Sequence, residues 1–274
     1  MINNFSRNLT KQNGIIRQYL QMRTLTSSAN VVCQNISVPV TSNSVNQNIL
    51  GKAITSRPFV DWLGRMDQQV NVMKLHNVNI QAVDMFGPKV GFIKFVADVT
   101  DKDGDHVSGS VFMRGGSVAV LPVIKDKISL EEFSVLVRLN SVPTATDQLP
   151  SLPAGMMDNS GSFAGNMARE IKEEVGLDIK EDQLIDLTDI YPEKFQGAYV
   201  SVGGTDEYIR LFAFETEMES DKIKELQGKL TGLPEEHEKI TLQIVPLKKL
   251  HEITPDMKAL SALYLYEKYR QRIL

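Results

Sequence analysis

The sequence predicts an α/β protein in which helices cover a mixed sheet and a smaller β-rich region precedes that sheet. Short runs of apolar and β-branched residues recur along the chain after residue 58, and helical patterns interrupt them at irregular intervals. No internal repeat is visible, and 274 residues allow one large domain or a small domain followed by a medium one. This irregular mixture of strands and helices favours a mixed sheet with helices packed on it.

The first 57 residues differ from the rest of the chain in composition. Residues 1–60 contain no Asp or Glu, so all 34 acidic residues follow them. The basic residues of this stretch are Arg7, Lys11, Arg17, Arg23, Lys52 and Arg57. A segment that lacks acids and is rich in Arg, Ser, Thr and Asn is typical of an organelle transit peptide. Residues 1–57 are therefore predicted as a transit peptide, with the mitochondrion favoured over the plastid, and a disordered tail of a cytoplasmic protein is the alternative.

Residues 58–109 are predicted to form the β-rich N-terminal region. The expected elements are an apolar anchor at Phe59, Trp62 and Leu63, and strands over 70–80, 90–99 and 107–113. An Asp- and Gly-rich stretch at 101–105 predicts the turn before the last of these strands.

Residues 110–274 are predicted to form the main domain. The nearly continuous apolar run from Ser117 to Ile124 is typical of a strand that is buried on both faces. Further strands are expected over 133–139, 185–191, 209–214 and 240–245, and helices over 163–175, 221–230 and from 255 onward. Gly176 is predicted to end the first helix, because glycine accepts the left-handed conformation there. Thr254 is the expected N-cap of the last helix, with Pro255 in its first turn.

The composition argues against several classes of protein. A single cysteine, Cys33, excludes an internal disulfide framework and a Cys-rich zinc site. No run of about 18 apolar residues is present, so we expect no membrane span. The net charge of -4 gives no reason to expect nucleic-acid binding.

Three glutamates in the first predicted helix carry the clearest chemical signal. Glu170, Glu173 and Glu174 are spaced i, i+3 and i+4, so on an α-helix they share one face about 5–6 Å apart. Such carboxylates repel one another, and Mg²⁺, which prefers oxygen ligands, neutralises them. Ile171 and Val175 point to the opposite side and are predicted to anchor the helix in the core. For this spacing alone, a solvated acidic face is the alternative.

The surrounding residues extend this spacing to a longer motif. The segment resembles the Nudix box, G-x5-E-x7-R-E-U-x-E-E-x-G-U with U apolar. The matching residues are Gly155, Arg169, Glu170, Ile171, Glu173, Glu174, Gly176 and Leu177. One position departs from the box, because Gly161 stands where the first glutamate is expected. The resemblance implies the Nudix α/β/α sandwich and Mg²⁺-dependent hydrolysis of a diphosphate, with Mn²⁺ as an alternative metal.

The resemblance also implies a role for each matching residue. Glu170 and Glu174 are expected to bind Mg²⁺ directly, and Glu173 is expected to bind a further metal and to be catalytic. The carbonyl of Ala154 is expected to complete a coordination shell. Arg169 is expected to orient the carboxylates of the helix.

Three further segments resemble the branch of the family that hydrolyses ADP-ribose and ADP-sugars. They are Leu152–Gly155, Ser201–Glu207 and Gly232–Ile240. This likeness implies that Glu236 is the general base, with Glu238 as the second candidate, and that Glu207 supports metal or phosphate binding. It places Arg138 where an arginine holds the substrate phosphate. Taken singly, the acids also fit an ordinary loop, and Arg138 also fits a surface strand.

The predicted function is Mg²⁺-dependent cleavage of a nucleoside-diphosphate sugar, of ADP-ribose or ADP-glucose type, to a nucleoside monophosphate and a sugar phosphate. Hydrolysis of another diphosphate, such as a dinucleotide or coenzyme A, is one alternative. A nucleotide-sugar binding module without turnover is another, and Gly161 is the feature in its favour. The expected partners are the nucleotide-sugar substrate and a second copy in a homodimer formed with the help of residues 58–109, with no nucleic acid and no membrane.

Overall fold

The chain forms two compact units, Met1–Met113 and Arg114–Leu274. The computed structural model describes residues 26–157, 164–165, 171–177, 179–232 and 239–273. The division after Met113 lies close to the predicted boundary between residues 109 and 110. Each unit has its own apolar core.

The N-terminal unit contains a six-stranded sheet with the order β1-β2-β3-β4-β5, in which β6 also pairs with β4. Its strands are β1 (Ser27–Cys33), β2 (Ile36–Ser42), β3 (Met73–Phe86), β4 (Lys89–Asp101), β5 (His106–Val107) and β6 (Ser110–Met113). Two helices, α1 (Gln47–Thr55) and α2 (Arg57–Asp67), connect β2 to β3. β2 and β3 are parallel, and the other strand pairs of this sheet are antiparallel.

Alternation along the long strands builds the core of this unit. On β4 the odd-numbered residues from Gly91 to Val99 are buried and the even-numbered residues between them are less so, as expected for a sheet with one covered face. Helices α1 and α2 contribute Leu50 and Phe59 to the same core. The ring of Phe59 lies 6.0 Å from that of Phe95, so α2 is an integral part of the core.

The predicted leader extends too far along the chain. Residues from Ser27 onward form β1, β2 and α1, and these elements belong to the N-terminal unit. Gln34 and Asn35 form the tight turn between β1 and β2 with φ angles of 55° and 60°. A two-residue turn of this kind suits a hairpin. The composition was misleading because the exposed sides of these strands carry uncharged Ser, Thr and Asn instead of acids. The apolar anchor predicted at 59–63 is part of α2.

The C-terminal unit contains a nine-stranded mixed sheet with the order β11-β13-β7-β8-β15-β14. Its strands are β7 (Ser117–Asp126), β8 (Glu132–Ser141), β9 (Thr146–Ser151), β10 (Ala154–Met156), β11 (Ile185–Asp186), β12 (Ala198–Tyr199), β13 (Tyr208–Met218), β14 (Leu230–Thr231) and β15 (Ile240–Pro246). The short strands β9, β10 and β12 pair with β8, β7 and β13. β13 runs parallel to β7, and the other strand pairs of this sheet are antiparallel.

Both faces of this sheet are covered. On one face, Val118, Val120 and Phe212 pack against Ile171 and Val175 of a helical turn. On the other face, the strand residues Ala119, Leu121 and Leu211 pack against Ala259 and Ala262 of the last helix. β7 is therefore buried over almost its whole length. The predicted α/β/α sandwich around a mixed sheet is confirmed.

Among the described residues of this unit, the α-helices are α3 (Ser220–Leu226), α4 (Leu250–Ile253) and α5 (Met257–Ile273). α3 is shorter than the helix predicted over 221–230. α3 ends early because Gly228, with a φ of 75°, turns the chain into β14. Thr254 does not start α5 directly, but its hydroxyl accepts the N–H of Asp256 and donates to the carbonyl of Pro150. None of the helices in the described part of the chain is long and apolar enough to cross a membrane.

Asp126 joins three elements at the end of β7. Its carboxylate accepts the hydroxyl of Ser220 at 2.7 and 2.9 Å and the backbone N–H of Ile128 at 2.8 Å. The Ser220 hydroxyl, followed by this N–H group, lowers the pKa of Asp126 below its usual value, because both donors favour the charged form. The same bonds fix the β7–β8 hairpin and the start of α3.

We expect Phe59→Ala to destabilise the N-terminal unit by about 3–5 kcal/mol, because a large buried ring leaves a cavity. Trp62, the one tryptophan of the chain, lies in this unit, so its fluorescence during urea denaturation reports this transition. Phe86→Ala is the control, since that side chain is 51% exposed and should cost at most about 1.5 kcal/mol. Equal losses for the two variants would contradict this account of the core.

We expect Ser220→Ala to destabilise the C-terminal unit in a manner that depends on pH. A lowered pKa contributes stability above the ordinary pKa of Asp126, and this contribution disappears as pH falls through the lowered folded-state value. The free energies of unfolding of wild type and variant should therefore differ at pH 7 and converge below about pH 4. Urea titrations between pH 7 and 3 measure the difference, and a gap that is constant with pH would exclude this role for Asp126.

Candidate active site

Three strands of the C-terminal unit bring the predicted site segments to one edge of the sheet. β7 pairs with β10 on one side and with β13 on the other. Met156, Ser117 and Ile209 lie in one row across these three strands, and we call this row the site edge. β10 ends where β7 and β13 begin. The residues that follow β10 and those that precede β7 and β13 therefore meet at this edge.

Glu174 is the predicted metal ligand whose position is best defined. Its side chain is buried, with the residue 7% exposed, and its Oε2 accepts the N–H of Ala154 at 3.1 Å. Ala154 lies on β10, two residues inside the site edge. The structure therefore places two members of the predicted metal site in direct contact. A buried carboxylate is unfavourable unless donors or a cation stabilise it.

The turn that carries Glu173 and Glu174 is π-helical. The N–H of Gly176 donates to the carbonyl of Ile171 at 3.0 Å, which is an i to i+5 bond. Gly176 has a φ of 76°, so the predicted glycine stop is confirmed. Ile171 and Val175 are fully buried in the core, which confirms their predicted anchoring role.

The expectation of regular α-helical spacing is wrong for this last turn. A π-helical turn is wider than an α-helical one. The side chains of residues 171–175 therefore do not share a face in the way that the i, i+3, i+4 rule predicts. Such turns occur often at functional sites. In this turn Glu174 is buried and Glu173 is partly exposed.

Hydrogen bonds tie this turn to Thr231 and Gly232, the last described residues before the acidic segment 233–238. The hydroxyl of Thr231 donates to the carbonyl of Glu174 at 2.5 Å. The N–H of Gly232 approaches the carbonyl of Glu173 at 3.4 Å. Thr231 and Gly232 therefore lie beside the two glutamates of the π-helical turn.

Arg138 lies beside the start of β15. It pairs with Thr241 of β15 and with Pro150 of β9, and its Nε donates to the carbonyl of Gln148 at 3.2 Å. Its side chain is partly exposed. The position of Arg138 is compatible with the predicted phosphate contact, which stays a prediction.

Glu207 lies immediately before β13, next to the site edge. Its Oε1 is 3.5 Å from Nε of Arg114 and accepts the hydroxyl of Ser117 at 3.4 Å. Its side chain is only 14% exposed. The structure therefore brings Glu207 to the same edge as β10, and its predicted support of metal or phosphate binding stays a prediction.

Sequence reasoning missed the residues that hold Glu207 in place. Asp206 is buried and accepts the N–H groups of Arg114 and Gly115 at 2.8 and 3.2 Å. The adjacent acids Asp206 and Glu207 thus bind the backbone and the side chain of Arg114. The sequence signal for this loop was a glycine pair followed by Thr and two acids. The sequence does not show that these acids contact Arg114.

A second missed contact is the ion pair between Arg210 on β13 and Asp186 on β11. Asp186 also accepts the N–H and the hydroxyl of Thr188. Arg210 lies level with Gly155 across β7, so this pair stands close to the site edge.

Four predicted site residues lie outside the residues that the structure describes, namely Arg169, Glu170, Glu236 and Glu238. The same is true of Gly161, which stands where the motif expects a glutamate. Their roles stay predictions.

The described residues fit a divalent cation in the kind of ligand that they offer. Glu173 and Glu174 supply two carboxylates, and hard cations such as Mg²⁺ prefer oxygen donors. Within the described ranges, no three or more His, Cys, Asp or Glu side chains converge on a possible metal position. The third predicted carboxylate, Glu170, falls in the gap between residues 165 and 171.

A family model for the NUDIX domain matches residues 113–266, which is more than half of the chain. The chain belongs to the NUDIX family. The match covers the C-terminal unit almost completely, including both flanks of the site edge. The likeness to Nudix hydrolases that the sequence motif indicates is thereby confirmed.

Two relatives of this Nudix chain extend the comparison. Nudix hydrolase 14, chloroplastic, from Arabidopsis thaliana is 36% identical over 260 residues, which cover 89% of this chain and 83% of the relative. A crystal structure of an ADP compounds hydrolase has a TM-score of 0.52 at 17% identity and covers 73% of this chain and 95% of its own. The second comparison supports the Nudix fold alone.

We expect Gly116→Ala to destabilise the site edge. A Cβ at Gly116 would lie 2.4 Å from the ring of Tyr208, so this buried ring would have to move, at a cost of about 1–3 kcal/mol. Gly203→Ala is the matched control in the same unit, because a Cβ there meets nothing within 4 Å. Thermal unfolding compares the two variants, and a Gly116→Ala protein as stable as the control would show that the site edge is not packed as described.

Proposed function

We propose that this Nudix hydrolase cleaves the diphosphate of a nucleoside-diphosphate sugar, of ADP-ribose or ADP-glucose type, to a nucleoside monophosphate and a sugar phosphate. The observation that carries the proposal is the contact of the buried Glu174 carboxylate with the N–H of Ala154. This contact joins the π-helical turn to the Leu-Pro-Ala-Gly segment at 152–155. Both segments are needed for the metal site that the motif implies.

Glu170, Glu173, Glu174 and the carbonyl of Ala154 are the residues that would hold Mg²⁺, or Mn²⁺ in its place. When bound, such a cation screens the charge of a diphosphate and lowers the pKa of a bound water. Arg169 is proposed to keep the glutamates of the helix in orientation.

The remaining residues act on the substrate directly. We assign proton removal from the attacking water to Glu236, with Glu238 as the alternative, because a loop carboxylate close to the water serves as a general base. Thr231 and Gly232, which precede Glu236 in the chain, are hydrogen-bonded to the carbonyls of Glu174 and Glu173, and this supports the assignment.

Arg138 is proposed to position the phosphates, and Glu207 to support the metal. Arg138 is available to pair with a phosphate oxygen through a planar guanidinium. Glu207 carries a negative charge and is therefore proposed to orient a cation or a bound water rather than a phosphate oxygen. Its contacts with Arg114 and Ser117 give it a defined orientation.

The substrate class rests on the resemblance of segments 152–155, 201–207 and 232–240 to ADP-sugar and ADP-ribose diphosphatases. The structural neighbour described as an ADP compounds hydrolase is in agreement with an ADP-containing substrate. Dinucleotides and coenzyme A are the alternative diphosphates. The homodimer formed with help from the N-terminal unit belongs to the same proposal.

We also propose that the acid-free segment at the start of the chain directs import into a plastid. The Arabidopsis relative is named as chloroplastic, whereas no comparison supports the mitochondrion that the composition first favoured. The structured part begins by Ser27, so such a signal would be shorter than 57 residues.

The full chain should release AMP from ADP-ribose or ADP-glucose only when Mg²⁺ is present. UDP-glucose and a dinucleotide serve as competing substrates in the same assay. Glu173→Gln and Glu236→Gln should each lower kcat by at least about 100-fold, because they remove a metal ligand and the base. Glu225→Gln is the control, since that glutamate pairs with Lys222 on the surface of α3 and should retain full activity.

Three results would redirect the proposal. Faster cleavage of the dinucleotide would move the substrate class to another diphosphate. Binding of ADP-ribose by calorimetry without any product would favour the binding module that Gly161 allows. Full activity of Glu236→Gln would move the role of base to Glu238.

A further inference from the structure

Three aromatic side chains form a row that leads away from the site edge. Phe195, Tyr199 and Tyr208 make up this aromatic row, with ring centroids 6.3 Å apart for the first pair and 6.4 Å for the second. Exposure falls along the row, because Phe195 is 42% exposed, Tyr199 is partly buried and Tyr208 is 8% exposed. Its outer ring, Phe195, is therefore accessible to a ligand on the side that Lys194 does not cover, and its inner end is fixed in the protein.

The aromatic row lies on the same face of the sheet as the π-helical turn. Tyr199 is the direct antiparallel partner of Tyr208, so both side chains point to one face. On β13, Tyr208 and Phe212 have the same parity and share that face. Phe212 packs with Ile171 and Val175 of the turn, which fixes the face.

The row is also within reach of the site along the sheet. Tyr208 precedes Ile209 of the site edge by one residue, and Ala154 lies two residues inside that edge. Three strand spacings separate β12 from β10, which is about 14 Å. An extended nucleotide sugar therefore needs no rearrangement of the sheet to span from Glu174 to the row.

Two glycines determine where the aromatic row lies. A Cβ at Gly116 would collide with the ring of Tyr208, so this ring lies across the start of β7. A Cβ at Gly197 would lie 2.5 Å from the carbonyl of Ile209, so Gly197 lets the segment before Tyr199 approach β13 closely. The positions of Tyr199 and Tyr208 thus depend on two close backbone approaches.

The planes of Phe195 and Tyr199 are 83° apart, so one flat base can stack on only one of these rings. We propose that the nucleobase of the substrate stacks on Phe195 and meets Tyr199 edge to face, with Tyr208 supporting both rings from within. This inference rests on the proposed function and adds the part of the site that recognises the base. Core packing accounts for Tyr208, but it leaves unexplained why two further rings continue the row outward to solvent. Every nucleobase has a flat π face, and stacking on an aromatic side chain is strong and tolerant of base identity.

The test compares two inhibitors that differ only in the base. AMP and ribose 5-phosphate share the sugar and the phosphate, so the ratio of their inhibition constants measures the contribution of the base. Phe195→Leu and Tyr199→Leu should each weaken inhibition by AMP about tenfold, as expected for one lost aromatic contact, and change inhibition by ribose 5-phosphate less than about twofold. The KM for the nucleotide sugar should rise in parallel. Phe195→Trp should retain AMP affinity, because it keeps an aromatic surface.

Tyr264→Leu is the matched control. Tyr264 is 58% exposed and has Lys268 5.5 Å from its ring centroid, much as Phe195 has Lys194 at 5.0 Å. It lies on α5, which covers the opposite face of the sheet. This variant should therefore keep wild-type inhibition by both compounds.

Calorimetric binding of AMP separates failure of this inference from failure of the proposed function. If wild type hydrolyses the nucleotide sugar and binds AMP, but Phe195→Leu and Tyr199→Leu bind AMP as wild type does, the base lies elsewhere and this inference is wrong. An equal loss for AMP and ribose 5-phosphate also overturns it, because the defect would then concern the whole site. If wild type neither hydrolyses nor binds any nucleotide, the proposed function itself has failed.

Discussion

The arrangement of the site depends on one buried carboxylate, that of Glu174. Removing a charged carboxylate from water is costly, so its position is stable only where donors and opposite charge surround it. The N–H of Ala154 supplies one donor from the sheet. The hydroxyl of Thr231 fixes the carbonyl of the same residue from the other side. The π-helical turn, β10 and the end of β14 at Thr231 are therefore held together at Glu174.

The fold places these three segments by ordinary packing. Ile171 and Val175 fix the turn on a sheet face built from apolar strands, and the register of β10 on β7 brings Ala154 beneath it. Because β13 is parallel to β7, the residues before both strands reach the same edge. Glu207 arrives there by this route, and Asp206 and Arg114 then hold it. The aromatic row continues from this edge on the same face.

Local patterns in the sequence were sufficient for the main domain and insufficient for its long-range contacts. The apolar run of β7, the glycine stop at Gly176 and the anchoring of Ile171 and Val175 follow from periodicity and backbone preference. The π-helical geometry could not be predicted, because it follows from how the turn meets the sheet. The pairing of Arg114 with Asp206, more than 90 positions away, could not be predicted either. The leader was overestimated because the exposed, uncharged surfaces of β1 and β2 have the composition of a targeting segment.

The most direct test of this account measures thermal unfolding with and without Mn²⁺. This cation takes the same oxygen ligands as Mg²⁺. A cation that binds only the folded protein raises its Tm as concentration increases. We predict a clear rise for wild type and little or none for Glu174→Gln. This variant should fold without metal, since an amide is less costly to bury than a charge. An equal rise in both proteins would show that Glu174 holds no metal and would contradict the account.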